Sequence, residues 1–162
     1  MMTSSIVTAL LWIAALSSGL IAGVYFAFSV FIMQAFGKIE TSHAVVAMNA
    51  INETILRSLF MPLFFGSTIV AVMLMIVAML HWDDAGSGMT LTAGAIYFIG
   101  MFVCTVVVNV PLNNLLAGVN EDSANAEEVW PLYLKTWTLW NHLRTVSSLV
   151  TCGLGIWLLS TQ

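Results

Sequence analysis

Two short segments hold the side chains best suited to chemistry. WNHLRT supplies Asn141, His142 and Arg144, and NVPLNNLL supplies Asn109, Asn113 and Asn114 around Pro111. An amide offers two donors and an acceptor, and a guanidinium is a fixed cation with a fork of donors. An imidazole titrates near neutrality, so it can move a proton or ligate a metal. Asn141, Arg144 with Thr145, Ser148, Thr151 with Cys152, and Gly155 recur at helical spacing and fall on one stripe. Tyr97, Met101, Thr105 and Asn109 form a second stripe leading to Pro111 and the two asparagines beyond it. Proline removes a backbone donor and clashes with the carbonyl four residues back, at Val107, so a kink or break is expected there. The asparagines then either satisfy the freed carbonyls or point into a pocket.

The elements that must position these groups are set by composition. The chain has 162 residues, 60% hydrophobic and 7% charged, against about 25% charged residues in a soluble domain. No charge occurs before Lys38, between Arg57 and Asp83, between Asp84 and Glu121, or after Arg144. Each gap holds the roughly 20 apolar residues of a membrane-spanning helix. Four spans follow, at residues 6 to 33, 60 to 81, 89 to 110 and 142 to 160. Long apolar runs without alternation exclude a barrel, so the class is an all-α four-transmembrane-helix bundle, one domain over residues 1 to 162. The N-terminal stretch lacks a basic region and is too long for a signal-peptide core, so it reads as an uncleaved first helix.

Two connections are long. TSHAVVAMNAINETILRSLFMP, between spans one and two, reads as an amphipathic helix capped by Thr41 or Ser42. Asn49, Glu53 and Arg57 form one stripe with Asn52 beside it, and Val45, Met48, Ile51, Ile55 and Leu59 cover the other side. Pro62 suits the first turn of span two. The connection before span four begins polar and becomes a helical extension near Pro131. Its Trp130, Tyr133, Trp137 and Trp140 stand where an aromatic belt is expected. All four Lys and Arg residues lie in or beside these two connections. The positive-inside rule therefore puts both connections in the cytoplasm and both termini outside, as in a bacterial inner membrane.

Ala15, Gly19, Gly23 and Ala27 form a small-residue ridge that serves packing inside the bundle or a homodimer through Gly19 and Gly23. Cys104 and Cys152 fit no metal-spaced motif and read as packing residues. The net charge of -4 comes with no basic stretch, so nucleic acid is not a partner.

NVPLNNLL and the WxxYxxxWTxWNHLRT pattern, with AFSVFIMQAF at the end of span one and the AMNAIN helix, resemble the anthrone-oxygenase-like membrane proteins, a family also labelled a domain of unknown function. Fungal relatives are linked to oxidation of anthrones to anthraquinones. The resemblance implies a shared core of Asn109, Pro111, Asn113, Trp137, Asn141, His142 and Arg144, with Asn52 opposite. A flat lipophilic phenol or its keto tautomer would enter from the membrane, with Asn52, Asn113, Trp137 and Asn141 around it. His142 would act as base, and Arg144, Asn109 and Asn113 would stabilise the enolate oxygen. The chain has no flavin or dinucleotide fingerprint, so the enolate would meet O2 without a bound cofactor.

Two alternatives remain open. A metal or haem centre would use His43 and His142, with Met33 or Met48 nearby; softer sulfur ligands favour copper and an imidazole pair favours haem. A non-catalytic bundle, structural or ligand-binding, would use the polar cluster to hold its own helices together.

Overall fold

The computed structural model describes residues 5–120 and 124–162. The extreme N-terminal residues and the acidic start of the connection before span four, Glu121 to Ser123, lie outside the described residues. Among the described residues the chain is helical and without strands. Helix α1 spans Ser5–Phe36, α2 Thr41–Leu56, α3 Phe60–Leu80, α4 Ser87–Ala117 and α5 Ala124–Ser160. Four of them, α1, α3, α4 and α5, are long and apolar enough to cross a membrane, and α2 is the amphipathic helix between the first two spans. Leu16, Leu20, Ile69, Leu139 and Leu149 are exposed on the spans, an apolar skin of the kind that faces lipid.

α5 packs along α1 for most of its length. Small residues make this possible. A Cβ on Gly19 would sit 3.1 Å from Cys152 Sγ, and one on Gly155 would sit 3.2 Å from Ala15 Cβ. Ala15 and Gly19 of the ridge thus face α5 inside the bundle, while Gly23 has no neighbour. The short turn 81–86 joins α3 to α4, and its Gly86 takes φ 88°, a conformation open to glycine without strain.

Several expectations are corrected. The aromatic residues before span four are not a belt: Trp130, Tyr133 and Trp137 are buried, and only Trp140 among the four is exposed. They share one face of α5, stack on one another, and pack against Ala44, Val45 and Met48 of α2 and Met33 of α1. α5 accordingly runs from Ala124 through Pro131 without interruption. Thr41 does not cap α2. Its hydroxyl donates to Glu127 across to α5, at 3.0 Å. The expected Glu53–Arg57 pair does form, at 3.3 Å on the exposed side, and Pro62 lies in the first turn of α3.

At Pro111 the helix does not break. The strain is taken up earlier, by two π-helical segments of α4, Phe98–Val103 and Thr105–Asn109. Val110 N–H reaches back five residues to the Thr105 carbonyl, and α-helix resumes over Val110–Ala117 with the proline in its first turn. There a missing N–H costs little. α1 has a similar π turn at Phe28–Ile32, where Met33 N–H bonds the Phe28 carbonyl.

Candidate functional site

Arg144, on α5, is 4% exposed. A guanidinium held away from water needs compensation. Here two aromatic faces supply it: its Cζ lies 4.3 Å from the centre of the Tyr25 ring of α1 and 4.9 Å from that of Trp137. Such stacked cations contribute about 2 kcal/mol when desolvated. Its Nη2 donates to Asn141 Oδ1 at 2.7 Å and Nη1 to Thr105 Oγ1 at 3.4 Å, whereas Nε has no partner. No carboxylate pairs with Arg144 among the described residues.

Asn141 is completely engaged. Its Nδ2 donates to the Tyr25 carbonyl at 2.7 Å and to Ser29 Oγ at 2.8 Å, and its Oδ1 receives Arg144. The amide therefore ties α5 to α1 beside the π turn, where the ladder changes register, and at the same time aims the guanidinium. Ser29 and Thr145 hydroxyls meet at 3.1 Å and extend the tie.

Asn109 and Asn113 of NVPLNNLL reach across to α5 rather than back to their own backbone. Asn109 Nδ2 donates to the Trp137 carbonyl at 3.4 Å. Asn113 Oδ1 accepts from Tyr133 Oη and from Trp137 Nε1, both at 2.9 Å. Indole N–H is a donor only, which fixes the orientation of that amide.

Arg144, Thr105, Trp137, Tyr25 and Phe28 form one side of a cavity of about 570 Å³. α2 roofs it with Met48, Asn49, Ile51 and Asn52; α3 adds Phe60, Phe64 and Phe65; α4 adds Val106, Val110, Asn113 and Asn114. The volume falls in the range of small-molecule sites, and the lining is that of such sites: mostly apolar and aromatic, with a few convergent polar groups. Asn52 Nδ2 lies near Tyr133 without closing a hydrogen bond, and Asn49 Nδ2 reaches the Leu116 carbonyl at 3.4 Å.

Of the residues singled out in the sequence, Asn52, Asn113, Trp137 and Arg144 line this cavity. Asn109 and Asn141 stand behind it as buried ties between helices. His142 is not brought there: it is exposed on the opposite side of α5 from the buried Asn141 and Arg144. His43 is also exposed, 3.7 Å from Glu40. Met33 and Met48 do meet, but in the apolar core around Tyr133. Neither histidine lines the cavity, and no group of three or more His, Cys, Asp or Glu side chains converges among the described residues. The donors on which a metal or haem centre was expected thus do not fit one. Sequence reasoning missed Tyr25 and Thr105 as wall residues. Thr105 was visible on the stripe of Asn109, but nothing in the apolar run of α1 marked Tyr25.

Residues 56–154, well over half of the chain, match the family described as anthrone oxygenase. No curated protein and no solved structure matches the chain. The matched stretch contains the NVPLNN and WNHLRT segments; the end of span one and the AMNAIN helix lie before it.

Proposed function

The chain belongs to the anthrone oxygenase family, and we propose that it oxidises a flat, lipophilic phenol or its keto tautomer with O2 in the cavity beside Arg144. The observation that carries this reading is a buried guanidinium, without a carboxylate partner among the described residues, in the wall of an aromatic-lined cavity. Such a cation stabilises negative charge that develops on a ligand oxygen, and it does so at low local dielectric. As a proton leaves the carbon next to the carbonyl system, charge collects on the oxygen facing Arg144. The enolate then reacts with O2: the CH2 becomes C=O, one oxygen atom enters the product, and the second leaves as water with the two hydrogens. The proton acceptor in this reading is Glu53, the one carboxylate among the wall residues, at the exposed rim of α2. His142 gives up that role because of where it lies. No bound cofactor takes part.

Access in this reading is from the bilayer, between α3 and α4, where the wall residues Phe65, Val106 and Val110 are exposed. Lys38, Arg57 and Lys135 lie at one end of the bundle, and we assign that end to the cytoplasmic face of a bacterial inner membrane with both termini outside. A phosphatase fused after Gln162 is then active and a fluorescent protein fused there is dark; the reverse pattern inverts the assignment.

The test of function is oxygen uptake by the protein in lipid nanodiscs supplied with anthrones and simple phenols. Uptake above that of empty nanodiscs is expected. Its loss in Arg144→Gln, by about 10²-fold or more, matches removal of an oxyanion donor. Uptake that never exceeds the blank with any of these substrates removes the reading. A non-catalytic binding bundle is the second reading, favoured by the complete engagement of Asn141 and by the Asn109 and Asn113 ties. Ligand binding without oxygen uptake would select it.

A further inference from the structure

The chain has three tyrosines, and their hydroxyls are served unequally. Tyr97 Oη donates to Ser67 Oγ at 2.8 Å, and Tyr133 Oη to Asn113 Oδ1 at 2.9 Å. Tyr25 Oη donates to Met101 Sδ, at 3.9 Å, with the Thr105 and Arg144 side chains close by. A thioether is a weak acceptor, and a buried phenol ordinarily finds an oxygen partner. Tyr25 is 4% exposed and lines the cavity. Its ring carries the Arg144 guanidinium on one face, and its carbonyl is pinned by Asn141. Thr105, the neighbour of both, donates to the Met101 carbonyl at 2.6 Å and accepts from Arg144 Nη1 at 3.4 Å. The wall therefore sets a fixed cation beside an O–H donor whose one hydrogen bond is to a thioether.

We infer that the Tyr25 hydroxyl donates a hydrogen bond to the same ligand oxygen that Arg144 stabilises, so that the two form an oxyanion site. This rests on the oxygenase reading for its catalytic meaning, and on the geometry alone for binding. Two donors from different helices, one charged and one neutral, select a ligand whose oxygen becomes anionic at the edge of a flat ring. A neutral hydrocarbon of the same shape gains nothing from them. Because the Tyr25 carbonyl is fixed through Asn141, the hydroxyl is preorganised by the tie that also aims Arg144.

The test uses Tyr25→Phe, which keeps the ring under Arg144 and removes only the hydroxyl. A hydroxyanthraquinone bound in nanodiscs reports its own ionisation through its visible absorption, with no turnover needed. Wild type is expected to ionise it at lower pH than empty nanodiscs do. Tyr25→Phe should lose a measurable part of that shift, and Arg144→Gln most of it. Oxygen uptake at low substrate should fall by about 10²-fold in Tyr25→Phe. A wild-type shift retained in full by Tyr25→Phe overturns the inference, whatever uptake shows. A shift lost in Tyr25→Phe with no wild-type uptake supports the oxyanion site and removes the oxygenase reading instead. If Tyr25→Phe folds poorly, Met101→Leu serves: it deletes the competing acceptor, so the shift should persist or grow, and its disappearance counts against the donor role.

Discussion

A buried cation without a carboxylate costs stability, and the bundle offsets that cost with the Tyr25 and Trp137 faces and the Asn141 and Thr105 oxygens. This suggests a separation of effects. Arg144→Met keeps much of the volume and removes the charge, and replacing buried ionic groups by apolar ones is often neutral or stabilising. The change strands Asn141 Oδ1, at about 1–3 kcal/mol, but relieves the burial of a charge, so the variant should melt close to wild type in the same detergent and should take up no oxygen. A melting temperature that falls in step with uptake would make Arg144 structural. Asn141→Ala is expected to behave oppositely, since it strands the Tyr25 carbonyl, the Ser29 hydroxyl and one arm of Arg144. Each such group costs about 1–3 kcal/mol, so folded yield drops before turnover can be measured. His142→Ala, on the exposed face, should leave uptake within about twofold of wild type, the scale of surface substitutions. Residue type and helical spacing picked out Arg144, Asn113, Trp137 and Asn52, all of which line the cavity. His142 failed because adjacency in sequence is not adjacency in space: neighbouring positions on a helix point about 100° apart. Tyr25 was invisible for the reverse reason, its only neighbours in sequence being apolar.

At the level of the helices, apolar gaps between charges located every span, because a bilayer allows no other way to hide so long an apolar run. Where the spans end was less legible. α4 and α5 continue past the last purely apolar residue, since Trp130, Tyr133 and Trp137 find a core against α2 that replaces the lipid interface. Pro111 announced a disturbance in α4 but not its place: the π segments lie before the proline, where α4 packs on α5. Gly100 sits in the first of them, and a Cβ there would fall within the Ser147 side chain of α5. Gly100→Ala must therefore push the two helices apart. Overpacking of this kind costs about 1–3 kcal/mol, and Thr105, in the next π segment, moves with the displaced helix. Lower thermal stability and weaker ligand binding are both expected. Pairing the change with Ser147→Gly removes the obstructing side chain and should restore both. A double variant no better than Gly100→Ala would show that the close approach is not what holds this part of α4 in place.

For the molecule as a whole, the arrangement joins an aromatic-lined recess holding a buried cation to the flank of the spans beside it. Phe65, Val106 and Val110 are cavity residues, yet each is between 42% and 49% exposed, on the flank of the spans α3 and α4. In the proposed reading a substrate dissolved in lipid reaches Arg144 without crossing water, and its anionic oxygen forms only after it is inside, next to the cation that would stabilise it. That order matters, because an oxyanion made in the lipid would have no partner there. The passage is testable by bulk alone. Val106→Trp places an indole at the gap on a lipid-facing position where a large apolar side chain is tolerated. It should lower kcat/KM for oxygen uptake by about tenfold, equivalent to ~1.4 kcal/mol, with melting temperature unchanged. Val107→Trp is the matched control: Val107 is 64% exposed on the same helix but is not a wall residue. Its uptake should equal wild type. Were both tryptophans to slow uptake equally, the effect would belong to α4 packing rather than to passage. If neither did, the substrate would have to enter from the aqueous rim at Glu53 and Asn114.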